Sequence, residues 1–204
     1  MNATLAPEKC HIYIIRHAES RSNAGHRTSS PADNPITEKG QAQAQELAQK
    51  IRNTNITPDL IVISPYLRTK MTATPTMKLY PQCQIETWPE IHEFNYLNST
   101  RCANTTQAER RPFVEKYWQD MDPNYSDGGN AESFNDLINR IKQTIEHINS
   151  FTDKTILIFS HGQFMAMLKI YLQNPNASVN ELMQLFKDAD RGRTIANCEI
   201  IKIY

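Results

Sequence analysis

The sequence has no net charge, although charged residues are common in it. Lys plus Arg and Asp plus Glu each number 22 among 204 residues. Such a chain has no overall field that would draw it to nucleic acid or to an anionic membrane surface. We therefore expect neither nucleic acid nor a membrane among its partners, and any charge selectivity has to arise locally.

Cysteine is scarce and scattered along the chain. The four cysteines are Cys10, Cys83, Cys102 and Cys198, with no Cys-x-x-Cys pair and no His and Cys spacing typical of a zinc site. We expect free, mostly buried thiols. No bound metal and no other cofactor is predicted.

Long apolar runs are also missing. No segment approaches the roughly 20 apolar residues of a membrane-spanning helix. Residues 1–10 lack the apolar core of a secretory signal, so we expect a cytoplasmic protein. A chain of 204 residues predicts one compact domain with room for one inserted subdomain.

Apolar runs of strand length alternate with segments of helical periodicity. Strands are predicted over residues 12–15, 60–63, 84–88 and 155–159, with an alternating edge strand over 198–204. Helices are predicted after Thr37, over 66–80 with a kink or stop at Pro75, after Thr106, over 134–148, over 163–172 and after Ser178. This order predicts a three-layer α/β/α sandwich with a mostly parallel central sheet. Residues 93–130, where the pattern is weaker, are predicted to form a small inserted lid in a single domain spanning 1–204.

Two histidines follow closely on apolar runs. His17 comes after the run at 12–15 with Arg16, and His161 comes after the run at 155–159 with Ser160. In α/β folds ligands bind beyond the carboxyl ends of the strands, so the two histidines are expected to face one pocket. An enzyme is therefore the leading interpretation.

Short motifs surround both histidines in a fixed order along the chain. The first is Arg16-His17-Ala18-Glu19-Ser20 with Asn23 following, and the last is Ser160-His161-Gly162. Positions between them that share the pattern include Thr37, Gly40, Gln43, Ala44, Ser64, Arg68, Thr72, Glu132 and Ser133. In this order they resemble the histidine phosphatase superfamily, also called phosphoglycerate mutase-like, over nearly the whole chain. The resemblance implies a metal-independent phosphomonoester hydrolase that acts on a small phosphorylated metabolite through a phosphohistidine.

The resemblance also implies a role for each motif residue. His17 is the nucleophile, since a neutral imidazole nitrogen can attack phosphorus near neutral pH. His161 stabilises the transferring group, and Asn23 either bonds a phosphate oxygen or holds its loop. The implied phosphate-binding residues are Arg16, Asn23, Arg68, His161 and Gly162. Arginine suits this task because its planar fork makes bidentate contacts and stays charged, and the helix beginning at Gly162 directs backbone N–H groups at an anion.

The general acid of the resembled family is a Glu just after the third strand. Glu90 and Glu93 both lie there, and we prefer Glu93 because an aromatic residue follows it. The glycine common soon after this Glu is replaced by Asn95-Tyr96-Leu97. His92, in the same segment, allows two interpretations: it tunes the pKa of the acid, or it is an exposed loop residue, which we prefer.

The predicted lid carries basic residues that allow two interpretations. They are Arg101, Arg110, Arg111 and Lys116, accompanied by Glu109 and Glu115. A locally basic lid would suit a second anionic group on the substrate. A helix of mixed charge is also typical of a solvated face with ion pairs.

Two rival functions follow from the same motifs. A phosphoglycerate mutase would return the phosphoryl group to a sugar acid, but mutases of this type resemble longer chains with a well-defined lid, which favours the hydrolase. A non-catalytic phosphate-binding module on the same fold is disfavoured, because both arginines, both histidines and a candidate acid are present. If the last strand is a bare edge, it allows a homodimer.

Overall fold

A five-stranded sheet organises the protein in this computed structural model, which describes residues 10–54 and 56–203. In chain order the strands are β1 (His11–Arg16), β2 (Leu60–Ile63), β3 (Gln84–Thr87), β4 (Thr155–Ser160) and β5 (Ile200–Lys202). They lie in the order β3-β2-β4-β1-β5, and only β5 runs antiparallel to its neighbour. The prediction of a mostly parallel sheet is confirmed.

Seven helices are found in the described part of the chain. They are α1 (Glu38–Asn53), α2 (Leu67–Leu79), α3 (Ser99–Cys102), α4 (Gln107–Asp120), α5 (Phe134–Asn149), α6 (Gly162–Gln173) and α7 (Val179–Asp188). Short 3-10 turns occur at Pro89–Ile91 and Asp190–Gly192. No helix in residues 10–54 or 56–203 is both long and apolar enough to cross a membrane.

The helices cover both faces of the sheet, because successive strand residues point to opposite sides. On one face, Ile15 of β1 packs with Leu47 and Ile51 of α1. On the other face, Ile14 of β1 belongs to a larger cluster with Ile141 of α5 and residues of α6 and α7. The predicted three-layer α/β/α arrangement is therefore confirmed.

Helix α2 does not stop at Pro75, contrary to one of the two outcomes predicted for that residue. It continues to Leu79. Thr72, Ala73 and Thr76 are buried along its inner face. We attribute the continuation to this packing, which offsets the one backbone hydrogen bond that proline removes.

Residues 93–130 contain the short helix α3 and the longer α4. The predicted capping box is present, with the Thr106 side chain accepting from the Glu109 N–H. Tyr117 and Trp118 are buried in an aromatic cluster with Phe94, Tyr96, Phe134 and Phe186. These rings pack the segment onto the domain, and its action as a lid stays a prediction.

The same segment also contacts the loop that follows β1. Thr28 and Thr105 form an isolated antiparallel bridge, and Arg27 Nη1 donates to the Asn104 carbonyl at 2.6 Å. Arg27 also pairs with Glu109 at the start of α4. Two segments far apart in sequence therefore meet above the ends of the strands.

Candidate active site

The two sequence-predicted histidines lie side by side at the carboxyl ends of β1 and β4. These strands pair in parallel with Arg16 opposite Ser160, and the His17 N–H donates to the Ser160 carbonyl at 3.0 Å. The ring centroids of His17 and His161 are 5.3 Å apart. Both histidines thus lie at the carboxyl end of the parallel strands, on neighbouring strands of the sheet.

His17 is held in one tautomer. Its Nδ1 lies 2.7 Å from the Ala18 carbonyl oxygen, which can only accept a hydrogen bond, so Nδ1 carries the proton. The lone pair is left on Nε2, which accepts from Nε of Arg68 at 3.1 Å. Burial, followed by the nearby Arg68 charge, lowers the pKa of His17 well below 6.5. The ring is therefore neutral at physiological pH, as a nucleophile requires.

Arg68 lies in the first turn of α2 and is almost fully buried. Its Nη1 donates to the Pro31 carbonyl at 2.6 Å, and its guanidinium lies 4.9 Å from the ring centroid of Tyr66. Burial lowers the pKa of Arg68 to about 10, while the Glu93 carboxylate opposes the shift. The guanidinium thus stays charged at neutral pH beside Nε2 of His17.

Arg16 supplies a second guanidinium from the end of β1. Its Nη1 donates to the Ile195 carbonyl, while its Nε is buried with no hydrogen-bond partner among the described residues. Burial lowers the pKa of Arg16, and Glu93 opposes this shift. A buried donor with no protein partner is available to an anionic ligand.

His161 has one ring nitrogen engaged and one free. Its Nε2 lies 2.7 Å from the Ser64 Oγ, whereas its Nδ1 is buried and has no partner within the part of the chain that the structure describes. Burial, followed by the charge of Arg68, lowers the pKa of His161 well below 6.5. Both histidines are thus neutral when the site holds no anion.

Gly162 brings the start of α6 close to Arg16. A Cβ at this position would lie 3.2 Å from the Gly192 carbonyl oxygen and 3.3 Å from Nε of Arg16. His161 is the N-cap of α6 but makes no capping hydrogen bond through its side chain. The missing side chain therefore lets a guanidinium approach a helix N-terminus, which is electropositive.

Asn23 holds its own loop. Its Oδ1 accepts from the Ser20 N–H at 3.2 Å and from the Ser20 hydroxyl at 3.1 Å. Nδ2 of Asn197 donates to the same oxygen at 3.3 Å and to the His17 carbonyl at 2.8 Å. Of the two roles expected for Asn23, the contacts describe loop support, and direct phosphate binding stays a prediction.

The two candidate acids lie in different surroundings. Glu93 Oε1 accepts from the backbone N–H of Phe94 at 3.1 Å and of Phe164 at 3.3 Å, the latter in the first turn of α6. Its charge also favours the charged forms of Arg16 and Arg68 and so raises the pKa of both, against the effect of burial. Glu90 Oε1 instead lies 3.0 Å from Nδ1 of His147 on α5. Only Glu93 is thus tied to the histidine and arginine cluster.

His92 is not the exposed loop residue that the sequence suggested. Its Nε2 lies 3.3 Å from Glu132 Oε1, and its side chain is 20% exposed. Glu132 also pairs with Arg140 of α5.

From the sequence, Glu132 was recognised as a motif position without a role, whereas Asn197 and Arg140 were missed. Both lie far along the chain from the segments they support, and no local pattern marks them.

Most basic residues of the predicted lid are neutralised by neighbours. Arg101 pairs with Asp127, Arg111 with Glu115 at 2.7 Å and Lys116 with Asp120 at 2.8 Å. Arg110 is the exception, since it makes no ion pair within residues 10–54 and 56–203. Its Nη2 lies 3.4 Å from Ser22 Oγ in the loop after β1. For three of the four basic residues, the contacts fit the interpretation of a solvated face with ion pairs.

The site combines two guanidinium groups, two neutral imidazoles and one carboxylate. This set is complementary to a phosphoryl dianion, whose charge lies on its equatorial oxygens. No group of three or more His, Cys, Asp or Glu that could hold a metal ion was found among the described residues.

Comparison with known proteins agrees with the motifs and the fold. The model of the histidine phosphatase superfamily (branch 1) matches residues 12–188, and the chain belongs to this superfamily. A probable phosphoglycerate mutase GpmB from Erwinia tasmaniensis is 26% identical over 197 residues, covering 94% of this chain and 83% of the relative. A GpmB from Photorhabdus laumondii is also 26% identical, over 198 residues.

Solved structures of phosphatases share the fold. A putative alpha-ribazole-5'-P phosphatase from Escherichia coli superposes with a TM-score of 0.67 at 22% identity, covering 86% of this chain and 84% of that one. A phosphoserine phosphatase from Entamoeba histolytica, in complex with 3-phosphoglyceric acid, gives 0.67 at 19% identity, covering 94% and 88%. A mycobacterial glucosyl-3-phosphoglycerate phosphatase in complex with VO3 gives 0.70 at 19% identity, covering 94% and 90%.

The two buried histidines predict a loss of stability in mild acid. Because the pKa values of His17 and His161 lie well below 6.5 in the folded protein, only the unfolded chain takes up these protons as the pH falls below that value. Each ring should then lower the free energy of unfolding by up to about 1.4 kcal/mol per pH unit of acidification. Urea unfolding at pH 7.5, 6.5 and 5.5 measures the slope.

A matched pair of variants tests whether the buried histidines cause this dependence of stability on pH. His161→Gln should reduce the slope of unfolding free energy against pH, whereas His26→Gln, at an exposed position, should leave it unchanged. An unaltered slope in His161→Gln would contradict a buried neutral ring.

Proposed function

We propose that the protein hydrolyses phosphomonoesters of small metabolites through a covalent phosphohistidine on His17, without a metal ion. The observation that carries this proposal is the bond between His17 Nδ1 and the Ala18 carbonyl at 2.7 Å, which leaves the Nε2 lone pair for attack. Arg68 at 3.1 Å from Nε2 supplies a cation where the phosphoryl group would sit.

The first half-reaction transfers the phosphoryl group to the protein. Nε2 of His17 attacks phosphorus in line, the N–P bond forms and the bond from phosphorus to the ester oxygen breaks. Arg16 and Arg68 neutralise the equatorial oxygens. For this, Nε of Arg68 exchanges its contact with His17 for one with the substrate.

The second half-reaction releases phosphate to water. Glu93, having given its proton to the leaving oxygen, accepts one from water as the water attacks phosphorus. The N–P bond breaks and His17 returns to its starting state. One carboxyl thus serves both steps in turn.

His161 changes its charge during the cycle. The free Nδ1 lies in a site where Arg68 disfavours a further positive charge. A bound phosphoryl dianion reverses that balance and favours the protonated ring. The imidazolium then donates to a phosphoryl oxygen and stabilises the transition state.

Trapping of the intermediate tests this function. Wild-type protein mixed with ³²P-labelled substrate and quenched within milliseconds should carry label that is lost in acid and kept in base, as a phosphoramidate requires. Label that is stable in acid and lost in base would identify a phosphate ester of serine or threonine, label lost in both would identify an acyl phosphate, and either result would overturn the proposal. No label and no turnover with any phosphomonoester would favour the non-catalytic phosphate-binding module.

Mutase activity is the second candidate, because relatives matching 94% of the chain are named probable phosphoglycerate mutases. Both reactions pass through phosphohistidine and differ in the acceptor. With 3-phosphoglycerate, a hydrolase releases inorganic phosphate, whereas a mutase forms 2-phosphoglycerate without net release. The hydrolase is preferred because Asn95-Tyr96-Leu97 replaces the glycine that is common soon after the acid in the resembled family. The structural neighbours named as phosphatases also support it.

Chelation should leave the activity unchanged. Arg16, Arg68 and His161 can supply the positive charge that a metal ion provides in other phosphatases. We expect the same kcat/KM after dialysis against EDTA as before, measured with p-nitrophenyl phosphate. Loss of activity that Mg²⁺ or Zn²⁺ restores would contradict a metal-independent mechanism.

A further inference from the structure

A buried ion pair adjoins the segment that carries Glu93. Arg140 of α5 donates from Nε to Glu132 Oε1 at 2.6 Å and from Nη2 to Glu132 Oε2 at 2.9 Å. The side chains are 11% and 14% exposed. The pair is thus bidentate and shielded, unlike the surface pairs of α4.

The remaining nitrogen of Arg140 reaches the main chain just before Glu93. Nη1 donates to the carbonyl of Glu90 and to the carbonyl of His92, the latter at 3.0 Å. The His92 carbonyl belongs to the peptide bond that leads into Glu93. A single guanidinium therefore links a carboxylate to the backbone on the N-terminal side of the candidate acid.

Glu132 holds the backbone on the other side. Its Oε2 accepts from the Asn95 N–H at 3.1 Å, and its own N–H donates to the Asn95 carbonyl at 2.8 Å. Its Oε1 lies 3.3 Å from His92 Nε2. The ion pair consequently contacts the chain on both sides of Glu93.

This segment is not held by regular secondary structure, although the Phe94 ring is buried and Nδ2 of Asn95 donates to the Tyr66 hydroxyl. Residues 92–95 belong to no helix or strand, so no regular backbone hydrogen bonds fix them. A proton donor has to be placed within about 0.5 Å to act in the transition state. The carboxylate of the pair is also firmly ionised: burial would raise its pKa, but hydrogen bonds from His92 and Arg140 outweigh burial and lower the pKa of Glu132 to about 2.

We infer that Arg140 and Glu132 are positioning residues, whose pair fixes the backbone on both sides of Glu93 and thereby sets where its carboxyl meets the leaving oxygen. This inference rests on the proposed function, in which Glu93 is the general acid. Neither residue has to touch the substrate for the effect.

The dependence of kcat/KM on the leaving group provides a readout that a general loss of folded protein does not change. The value of kcat/KM covers the steps up to phosphohistidine formation, in which an alkyl oxygen needs a proton and p-nitrophenolate does not. In Arg140→Met, the ratio of kcat/KM for glycerol 2-phosphate to that for p-nitrophenyl phosphate should fall by about 10- to 100-fold. A smaller fraction of folded protein lowers both values equally and leaves the ratio unchanged.

Two milder variants keep the test open if Arg140→Met does not fold. Arg140→Lys retains the charge but cannot join Glu132 and two carbonyls at once. Glu132→Gln retains the shape and weakens the pair. Both should lower the ratio in the same direction as Arg140→Met.

Two controls isolate the acid. Thr144→Val removes the hydroxyl that donates to the Arg140 carbonyl at 2.9 Å, so it perturbs the same helix without removing any partner of the Arg140 guanidinium, and should leave the ratio unchanged. In a Glu93→Gln background, Arg140→Lys should cause no further selective loss, because the group it positions is already absent. Inhibition by vanadate should be equal in wild type and Arg140→Lys.

The outcomes separate the two hypotheses. If wild type forms no acid-labile phosphoenzyme, the proposed function fails. If wild type forms it but all folded Arg140 and Glu132 variants keep the wild-type ratio, the positioning inference fails and the mechanism stands. A selective loss that persists in the Glu93→Gln background would also overturn the inference.

Discussion

His17→Ala should lower kcat/KM for p-nitrophenyl phosphate by about 10⁴-fold or more and abolish the acid-labile label. The reason is that no other group takes over the role of Nε2. The ring of His161 is more than 5 Å away, with its Nε2 bonded to Ser64. Steady-state assays of purified variants, with quench trapping of the same samples, measure both effects.

His26→Ala is the matched control for this variant. His26 is exposed in the loop after β1, so its removal should change neither the rate nor the label. Thermal unfolding of both variants tests whether each is folded. Substantial labelled protein in His17→Ala would assign the nucleophile to another residue and refute the role given to His17.

Glu93→Gln should slow alkyl phosphates by about 10²- to 10⁴-fold in kcat/KM and p-nitrophenyl phosphate far less. A general acid matters in proportion to the proton affinity of the departing oxygen, and p-nitrophenolate leaves unaided. Glutamine has the same shape and can still accept from the Phe164 N–H, so the start of α6 keeps its contact. Initial rates on a series of esters of rising leaving-group pKa measure the change.

Glu90→Gln supplies the comparison, because it lies in the same segment but contacts His147. We expect little change on either class of ester. If Glu90→Gln shows the selective loss and Glu93→Gln does not, the acid assignment is reversed while the phosphohistidine mechanism stands. Equal losses on both esters would indicate instead that the altered residue supports the pocket or activates the hydrolytic water.

Much of the fold was predictable because its core strands and helix starts have local patterns in the sequence. The runs that form β1, β2 and β4 are buried on both faces and are therefore almost continuously apolar. Helices α4 and α7 begin at capping boxes that are visible in the sequence. The ends of β5 differ from the predicted strand over 198–204: β5 spans Ile200–Lys202, and Cys198 adopts a φ of 60°, which is not an extended conformation. Tyr204 lies outside the described residues.

The candidate site was predictable only where a motif is short and contiguous. Arg16 and His17 are neighbours in the chain, as are His161 and Gly162, and Arg68 follows directly on a strand and its turn. The support around Glu93 comes from Arg140, 47 residues further on. Its contacts within that segment are backbone carbonyl oxygens, which every residue possesses, so the residue types of the segment do not indicate them. Pairing of this kind is a property of the tertiary structure.

The strand order has a consequence for the synthesis of the protein. β4 lies between β1 and β2, so the first two strands become part of one sheet only when residues 155–160 pair with both of them. A nascent chain that ends at residue 154 contains Arg16, His17, Arg68 and Glu93 but lacks His161 and the strand that places it beside His17. The candidate site is therefore assembled only when this central strand closes the sheet.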